Sequence, residues 1–322
     1  MDEARFVGVS TGSVRLVAHT VGKREDPVVL LIAGHSGTLA QWHGFDSQLA
    51  GSGLFVISFD NRDAGGSDKL NDVLAEPLGE IEKQKKGEEF ASAYSVTDMV
   101  EDCRAVLDHF SAAEAHIIGQ SMGGLIAQVF AVSYPQRTAS LTVVMSAIPF
   151  WPALGRAAQK DGGALLAQLG ALYATCPVPR EDMSLAEFVE CRMPFWKLLS
   201  DLSDGEASLR RIEQILAIDF HRRAVDWSGM GGFRQTLAIN HWELHHLEQH
   251  MARLKGLTVP ALVLHGVADP LIPFECGKEL AEIIPGCRFV DYEGGHNLGS
   301  FETQSRLVPI ISQHLLSAKS TH

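Results

Sequence analysis

The sequence predicts an α/β fold in which a mostly parallel central sheet is flanked by helices and interrupted by one helical insertion. Three observations support this prediction. Short apolar runs, typical of strands buried on both faces, alternate with helix-like segments through the first half of the chain. The strand signals stop near residue 150 and resume near residue 255. The length of 322 residues suits one large domain with an insertion, since domains commonly hold about 100–200 residues.

The predicted strands begin with a hairpin. Residues 6–21 alternate around a Thr-Gly-Ser turn signal, which indicates two antiparallel strands at the edge of the sheet. The later strands are continuous apolar runs joined through helices, so right-handed crossovers are expected between parallel strands. These predicted strands cover residues 28–34, 54–60, 115–121, 141–148, 259–266 and 287–295.

The predicted helices carry their apolar side chains on one face. In residues 97–110 that face is continuous, and Ser95 or Thr97 is a suitable N-terminal cap. The polar stretch 71–94 is predicted to be a long surface loop with room for a short helix. Further helices are expected at about 42–49, 123–135, 275–284 and 302–317.

Residues 150–254, called the cap segment below, contain helix-like stretches and no strand signal. We therefore expect residues 1–149 and 255–322 to form one core, with the cap segment lying over the edge of its sheet. Aromatic residues are concentrated in the cap segment: Phe150, Trp151, Phe195, Trp196, Trp227, Phe233 and Trp242. Most are expected to pack the helices together, and a minority to line a substrate pocket. The candidates for substrate contact are Phe150, Trp151, Trp242 and, outside the cap segment, Trp42.

Composition and charge exclude several classes of protein. The formal charge is −12, and no run of five or more Lys or Arg occurs, which argues against nucleic-acid binding and a polybasic membrane anchor. The acidic N-terminus does not resemble a signal peptide, and no apolar stretch approaches the roughly 18 residues of a membrane span. The five cysteines include no CxxC pair. We expect a cytoplasmic protein without nucleic-acid or membrane partners, and its oligomeric state is open.

The motif with chemical content is Gly-Gln-Ser-Met-Gly at residues 119–123, a G-x-S-x-G pentapeptide between a predicted strand and a predicted helix. A sharp turn from strand to helix needs small residues beside the serine, and Gly119, Gly123 and Gly124 meet that need. Such a turn exposes the Ser121 hydroxyl over a helix N-terminus, where developing negative charge is stabilised. Ser121 is therefore the candidate nucleophile.

A serine nucleophile needs a base that is oriented by a carboxylate. Asp269 follows the predicted strand 259–266, and His296 follows the predicted strand 287–295, so both side chains are expected at the same sheet edge as Ser121. The chain order is Ser, Asp, His. These three residues are the predicted catalytic triad.

With these motifs the chain resembles the α/β-hydrolases over nearly its whole length apart from the cap segment. The resemblance implies an oxyanion hole built from two backbone N–H groups. One is that of Met122, directly after the nucleophile. The other lies in the loop Ala-Gly-His-Ser-Gly at residues 33–37, where Ala33 stands in place of the family's histidine and His35 takes the donor position. Whether the His35 ring also contacts substrate is open.

A second motif carries the resemblance further. Residues 60–67, Asp-Asn-Arg-Asp-Ala-Gly-Gly-Ser, match the family signature D-x-R-G-x-G-x-S except that Asp63 replaces the usual glycine. This form, followed by a long loop, is similar to aclacinomycin methylesterase-like enzymes and to hydrolases acting on polyketide and macrolide esters. The resemblance implies a structural role for these residues, with Arg62 ion-paired beneath the site. A serine at position 121 argues against the family's epoxide hydrolases and haloalkane dehalogenases, which use aspartate.

The expected function is hydrolysis of a carboxylic ester or lactone through an acyl-enzyme on Ser121, without a cofactor. Within this class we expect the substrate to be a small-molecule ester of a bulky, lipophilic natural product, of polyketide or macrolide type. Three alternatives stay open: the same triad in C–C bond hydrolysis, perhydrolysis or acyl transfer, a non-catalytic ligand receptor, and a metal-dependent enzyme. The last would use His241, His245, His246 and His250. Because no third ligand is evident and the H-E-x-x-H order is absent, no metal site is expected.

Overall fold

An eight-stranded sheet forms the centre of the molecule. The computed structural model describes residues 6–160, 163–164, 167–168, 171–172, 180–199, 205–226 and 228–318. Its strands are β1 (Phe6–Ser10), β2 (Arg15–Val21), β3 (Val28–Ile32), β4 (Phe55–Phe59), β5 (Ala115–Gln120), β6 (Thr138–Val144), β7 (Ala261–Gly266) and β8 (Arg288–Tyr292). They are arranged in the order β1-β2-β4-β3-β5-β6-β7-β8.

The pairing confirms the predicted α/β class. β1 and β2 form an antiparallel hairpin at one edge, and β2 also runs antiparallel to β4. All remaining neighbours are parallel, with β3 between β4 and β5 near the middle of the sheet. The carboxyl ends of β3, β5, β7 and β8 therefore lie along the same edge, where ligands bind in open α/β sheets.

The helices fill the positions that the periodicity predicts, with small shifts at their ends. They are α1 (Phe45–Gly51), α2 (Pro77–Lys85), α3 (Val96–His109), α4 (Met122–Ser133), α5 (Phe150–Lys160), α6 (Leu185–Leu199), α7 (Gly205–His221), α8 (Gly231–Leu254), α9 (Phe274–Ile283) and α10 (Phe301–Ser317). Of the two suitable caps of α3, Ser95 is the one used, and its N–H donates to the Asp98 carboxylate at 2.7 Å. The short helix in the loop 71–94 is α2.

The two faces of the sheet are covered by different helices. On one face α3, α4 and α9 pack against the sheet, and on the other face α1 and α10 do so. Burial of apolar side chains on both faces explains why the central strands are continuous apolar runs. None of the helices within the described ranges is both long and apolar enough to cross a membrane.

The helices of the cap segment have two packing environments. α5 and α8 contribute Phe150, Ala238 and Trp242 to the same apolar cluster as α3 and α4. α6 and α7 instead share a separate cluster that includes Phe188 and Ile212. Among the helices described in this segment, α5 and α8 are thus anchored to the core, whereas α6 and α7 pack mainly on each other.

Candidate active site

Ser121 lies at the sharp turn between β5 and α4. Its backbone has φ 55° and ψ −122°, a left-handed conformation that non-glycine residues rarely adopt. The turn is held by a hydrogen bond from the Ser121 N–H to the Val144 carbonyl at 2.9 Å. A Cβ atom at Gly123 would lie 2.1 Å from the Ile32 carbonyl oxygen, so this position of the motif requires glycine.

The loops after β7 and β8 bring two further side chains to Ser121. His296 Nε2 lies 2.9 Å from Ser121 Oγ, and His296 Nδ1 lies 2.8 Å from Asp269 Oδ2. Because an ionised carboxylate only accepts hydrogen bonds, the Nδ1 atom carries the proton and Nε2 is free to accept the Ser121 hydroxyl. The structure thus joins all three residues of the predicted triad in one hydrogen-bonded chain.

The Asp269 carboxylate is buried, and both of its oxygens accept hydrogen bonds. Its Oδ1 accepts from the N–H groups of Leu271 and Ile272, each at 2.9 Å. Burial raises its pKa, but His296 and His265 outweigh that effect and lower the pKa to about 2. The group is therefore ionised at neutral pH, as a carboxylate that orients an imidazole must be.

The loop 33–37 after β3 passes directly beside the nucleophile. A Cβ atom at Gly34 would lie 3.3 Å from Ser121 Cβ, in close contact. Within the described ranges, the N–H groups of His35 and Met122 form no hydrogen bond to protein. Met122 is fully buried at the first position of α4, where a helix leaves its N–H groups unpaired. Two unpaired donors therefore flank Ser121.

The His35 ring is engaged by α8. Its Nε2 lies 2.8 Å from the Gly232 carbonyl and 3.0 Å from Thr236 Oγ1. Because the carbonyl only accepts, Nε2 carries the proton and the Ser36 hydroxyl, 3.3 Å from Nδ1, donates to the ring. Burial lowers the pKa of His35, although the Gly232 carbonyl acts to raise it. A neutral ring tied to α8 favours the reading in which His35 offers its backbone N–H alone.

The signature at residues 60–67 is a network of structural hydrogen bonds. Asp60 accepts from the Leu39 N–H at 2.7 Å and the Gly66 N–H at 2.8 Å. Arg62 forms two hydrogen bonds to Asp102 on α3, at 2.7 and 2.8 Å. The predicted ion pair of Arg62 is therefore confirmed.

Asp63, which replaces the family's glycine, has an unexpected partner. Its φ of 65° explains why glycine is usual at this position. The Asp63 carboxylate is fully buried and receives two hydrogen bonds from Arg234 on α8, at 2.9 and 2.7 Å. The two residues are 171 positions apart, so no local pattern in the sequence pointed to this pair.

The aromatic candidates for substrate contact lie mostly in packed environments. Trp42 is fully buried and packs on Phe45 within a core cluster of the sheet, as the packing alternative describes. Phe150 and Trp242 are also buried, in the cluster shared with α4, so the packing alternative holds for them too. Trp151 is half-buried against that cluster. Trp227 lies outside the described residues. The spacing of apolar residues along a helix shows which of its faces is buried. It does not show whether that face packs on the core or lines a substrate pocket.

The histidines of α8 lie close to one another. The rings of His241 and His245 are 4.6 Å apart between centroids, and His250 is buried beside Trp242. Burial lowers the pKa of His250 to about 4. In the described part of the chain, no group of three or more His, Cys, Asp or Glu side chains is placed to hold a metal ion.

The fold and this site define the class of the protein. A family model for the alpha/beta hydrolase fold matches residues 27–303, and the chain belongs to this family. The chain is 29% identical to rhodomycin D methylesterase of Streptomyces sp. (strain C5), over 90% of this chain and 91% of that protein. It is 24% identical to 3-oxoadipate enol-lactonase 2 of Acinetobacter baylyi, covering 86% and 84%. A solved hydrolase from Pseudomonas aeruginosa superposes with a TM-score of 0.64 at 21% identity, covering 98% of this chain and all of that chain. The protein is a carboxylic ester hydrolase of this family.

Proposed function

We propose that the enzyme hydrolyses its ester through an acyl-enzyme formed on Ser121. The observation that carries this proposal is the hydrogen-bonded chain from Ser121 through His296 to Asp269. His296 Nε2 accepts the hydroxyl proton as Ser121 Oγ attacks the ester carbonyl, and Asp269 stabilises the imidazolium that forms. His296 then delivers the proton to the leaving alcohol. In the second half of the reaction a water molecule, deprotonated by His296, releases the acid.

The oxyanion of each tetrahedral intermediate is stabilised, in this proposal, by the N–H groups of His35 and Met122. Both groups lie beside Ser121 without a protein acceptor within the described ranges, and Met122 begins α4, whose N-terminus favours negative charge. Preorganised donors of this kind commonly contribute about 10²–10³ in kcat each. No metal or cofactor is needed for these steps.

We further propose that residues 150–254 act as a cap that completes the substrate site. Three of their helices contact loops of the site. α6 contacts the histidine loop, where the Leu199 carbonyl accepts the His296 N–H at 2.9 Å. On α7, Arg211 is buried and donates to the carbonyls of Gln41 and His43 beyond the oxyanion loop. α8 binds the His35 ring.

The proposed substrate is a small-molecule ester of a bulky, lipophilic natural product, of polyketide or macrolide type. The support is the similarity to rhodomycin D methylesterase, which extends over 90% of the chain and therefore reaches into the cap segment. A methyl ester is therefore the first alcohol group to test. A lactone is a second candidate, favoured by the similarity to 3-oxoadipate enol-lactonase 2.

The test is a panel of p-nitrophenyl esters, methyl esters of polycyclic aromatic acids, and macrolactones, assayed with the wild type and with Ser121→Ala. Ser133→Ala, at the far end of the same helix, is the matched control. We expect turnover by the wild type and the control, and a loss of about 10³-fold or more in Ser121→Ala. A fluorophosphonate should label Ser121 and no other serine. Absence of turnover across the panel, or an active Ser121→Ala variant, would refute the proposal.

The panel also separates the remaining alternatives. Failure of Ser121 to react with the fluorophosphonate would favour a ligand receptor on a hydrolase scaffold. Reaction with the probe but no ester turnover would favour C–C bond hydrolysis, perhydrolysis or acyl transfer by the same residues. Sensitivity of ester turnover to a chelator would favour metal dependence.

A further inference from the structure

The oxyanion loop is attached to α8 at more than one point. The His35 ring binds Gly232 and Thr236 in the first two turns of the helix. The next residue, Ser36, donates its N–H to Gln235 Oε1 at 2.7 Å. The side chain and the following peptide of His35 are therefore both held by the same helix.

Gln235 is placed so that its amide group can fix the loop in one position. The residue is fully buried, and its Nε2 donates to the Arg62 carbonyl at 3.0 Å. Both ends of the amide are thus used, which sets the direction in which Oε1 points. Ser36 has φ 54°, a left-handed conformation that costs free energy and persists only where surrounding contacts hold it. The hydrogen bond from Gln235 is such a contact.

A second glutamine holds the other side of His35 from within the core. Gln41 Oε1 accepts the Gly34 N–H at 3.3 Å, and Gln41 Nε2 donates to Gln120 Oε1 at 3.2 Å. The peptide N–H groups before and after His35 are therefore both occupied, one by the core and one by α8. The His35 N–H between them is left facing no protein acceptor within the described ranges.

We propose that Gln235 is a positioning residue for ester hydrolysis, which orients the His35 N–H towards the oxyanion by holding the Ser36 peptide. This inference rests on the proposed role of the His35 N–H. It adds that the oxyanion hole is assembled jointly by the core and the cap segment, because one of its two donors is aimed from α8. Misplacement of a reacting group by about 1 Å can cost about 10²-fold in rate.

The test compares Gln235→Met with Gln304→Met. The first variant keeps the volume of the side chain and removes its hydrogen bonds. The second makes the same change at a fully buried glutamine on α10, outside the oxyanion loop. For each variant we would measure kcat and KM on p-nitrophenyl acetate. We would also measure the Ki of an aryl trifluoromethyl ketone, which adds reversibly to a serine and carries an oxyanion.

For Gln235→Met we expect kcat to fall by about 10- to 100-fold with KM changed by less than about threefold. The Ki of the trifluoromethyl ketone should rise by a similar factor, because the analogue also depends on the oxyanion donors. For Gln304→Met, kcat and Ki should stay within about twofold of the wild type. A purely structural role of Gln235 would lower the melting temperature and leave the kcat and Ki of the folded enzyme unchanged.

Two outcomes would overturn the inference: kcat within about twofold of wild type in folded Gln235→Met, or a fall in kcat without a rise in Ki. If Gln235→Met does not fold, Gln235→Asn decides, since the shorter side chain keeps an amide in the buried position but withdraws it from the Ser36 N–H. A fall in kcat together with a rise in Ki supports the inference, and unchanged values overturn it. Failure of the proposed function is distinguishable, because the wild type itself would then neither hydrolyse the ester nor bind the ketone.

Discussion

The buried pair between Asp63 and Arg234 should be among the strongest single contributions to the attachment of α8. Both side chains are 0% exposed. Besides its two hydrogen bonds to Asp63, Arg234 donates to Asn71 Oδ1 at 2.9 Å and to the Leu74 carbonyl at 3.2 Å. Removing one partner of such a pair leaves a buried charge, which typically costs about 3–5 kcal/mol of stability. We expect a loss of this size for Arg234→Met.

The substitution Asp63→Gly restores the family's usual residue and separates two effects. It removes the partner of Arg234, which costs about 3–5 kcal/mol, and it relieves the left-handed strain at φ 65°, which returns about 1 kcal/mol. The net loss is therefore expected to be about 2–4 kcal/mol. In the double variant neither buried charge remains, so its stability should be no lower than that of Arg234→Met alone.

The assay is urea unfolding followed by far-UV circular dichroism for the wild type, the two single variants and the double variant. The reasoning requires a coupling free energy of at least about 2 kcal/mol between the two positions. If the effects of the single substitutions add to within about 0.5 kcal/mol, the pair does not stabilise the attachment of α8 and the reasoning is refuted.

Three further predictions concern the site and the fold. Asp269→Asn should lower kcat by about 10³-fold or more, because the amide would donate to His296 Nδ1 and shift the imidazole proton to Nε2; a fall of less than about tenfold on p-nitrophenyl acetate would contradict this. Burial raises the pKa of Asp219 from 3.8 to about 7. Between pH 3.8 and about 7 the folded protein therefore keeps a proton on Asp219 that the unfolded chain releases. The stability of the wild type should decline as pH rises through this range. Over the same pH range the melting temperature of Asp219→Asn should rise relative to that of the wild type. If the two melting temperatures change in parallel with pH, the raised pKa of Asp219 is contradicted. In Gly123→Ala the new methyl group would lie 2.1 Å from the Ile32 carbonyl oxygen, so we expect a loss of at least about 3 kcal/mol in urea unfolding, and a loss below about 1 kcal/mol would contradict the tight turn.

Local patterns in the sequence were sufficient to predict the sheet and the residues at its carboxyl edge. Ser121, Asp269 and His296 each follow a strand, and parallel strands deliver their ends to one edge, so strand positions alone bring the three together. An ion pair of Arg62 was also expected, from the resemblance carried by the signature at residues 60–67, and the structure supplies its partner, Asp102. These features depend on local patterns or on short motifs.

The contacts of the cap segment could not be predicted in this way. Trp42 and Trp242 were candidates for substrate contact, but both are buried in apolar clusters. An amphipathic pattern shows that one face of a helix is buried and carries no information on what covers it. Likewise, Asp63 was recognised as a departure from the family pattern, but its partner is 171 residues away and became visible only in three dimensions.

Two adjacent residues of α8 bind Asp63 and the oxyanion loop. Arg234 binds Asp63, and Gln235 binds the N–H of Ser36 and the carbonyl of Arg62. The ion pair therefore holds the start of α8 in the position from which the Gln235 amide reaches the Ser36 N–H and the Arg62 carbonyl. It follows that Asp63→Gly should lower kcat as well as stability, whereas a comparably destabilising change in the core on α3 should leave kcat of the folded enzyme unchanged. Measurement of kcat on p-nitrophenyl acetate for Asp63→Gly and for Leu107→Ala, a fully buried residue of α3, at a temperature where both are folded, tests this difference. Equal kcat values in the two variants would show that the pair supports the fold alone.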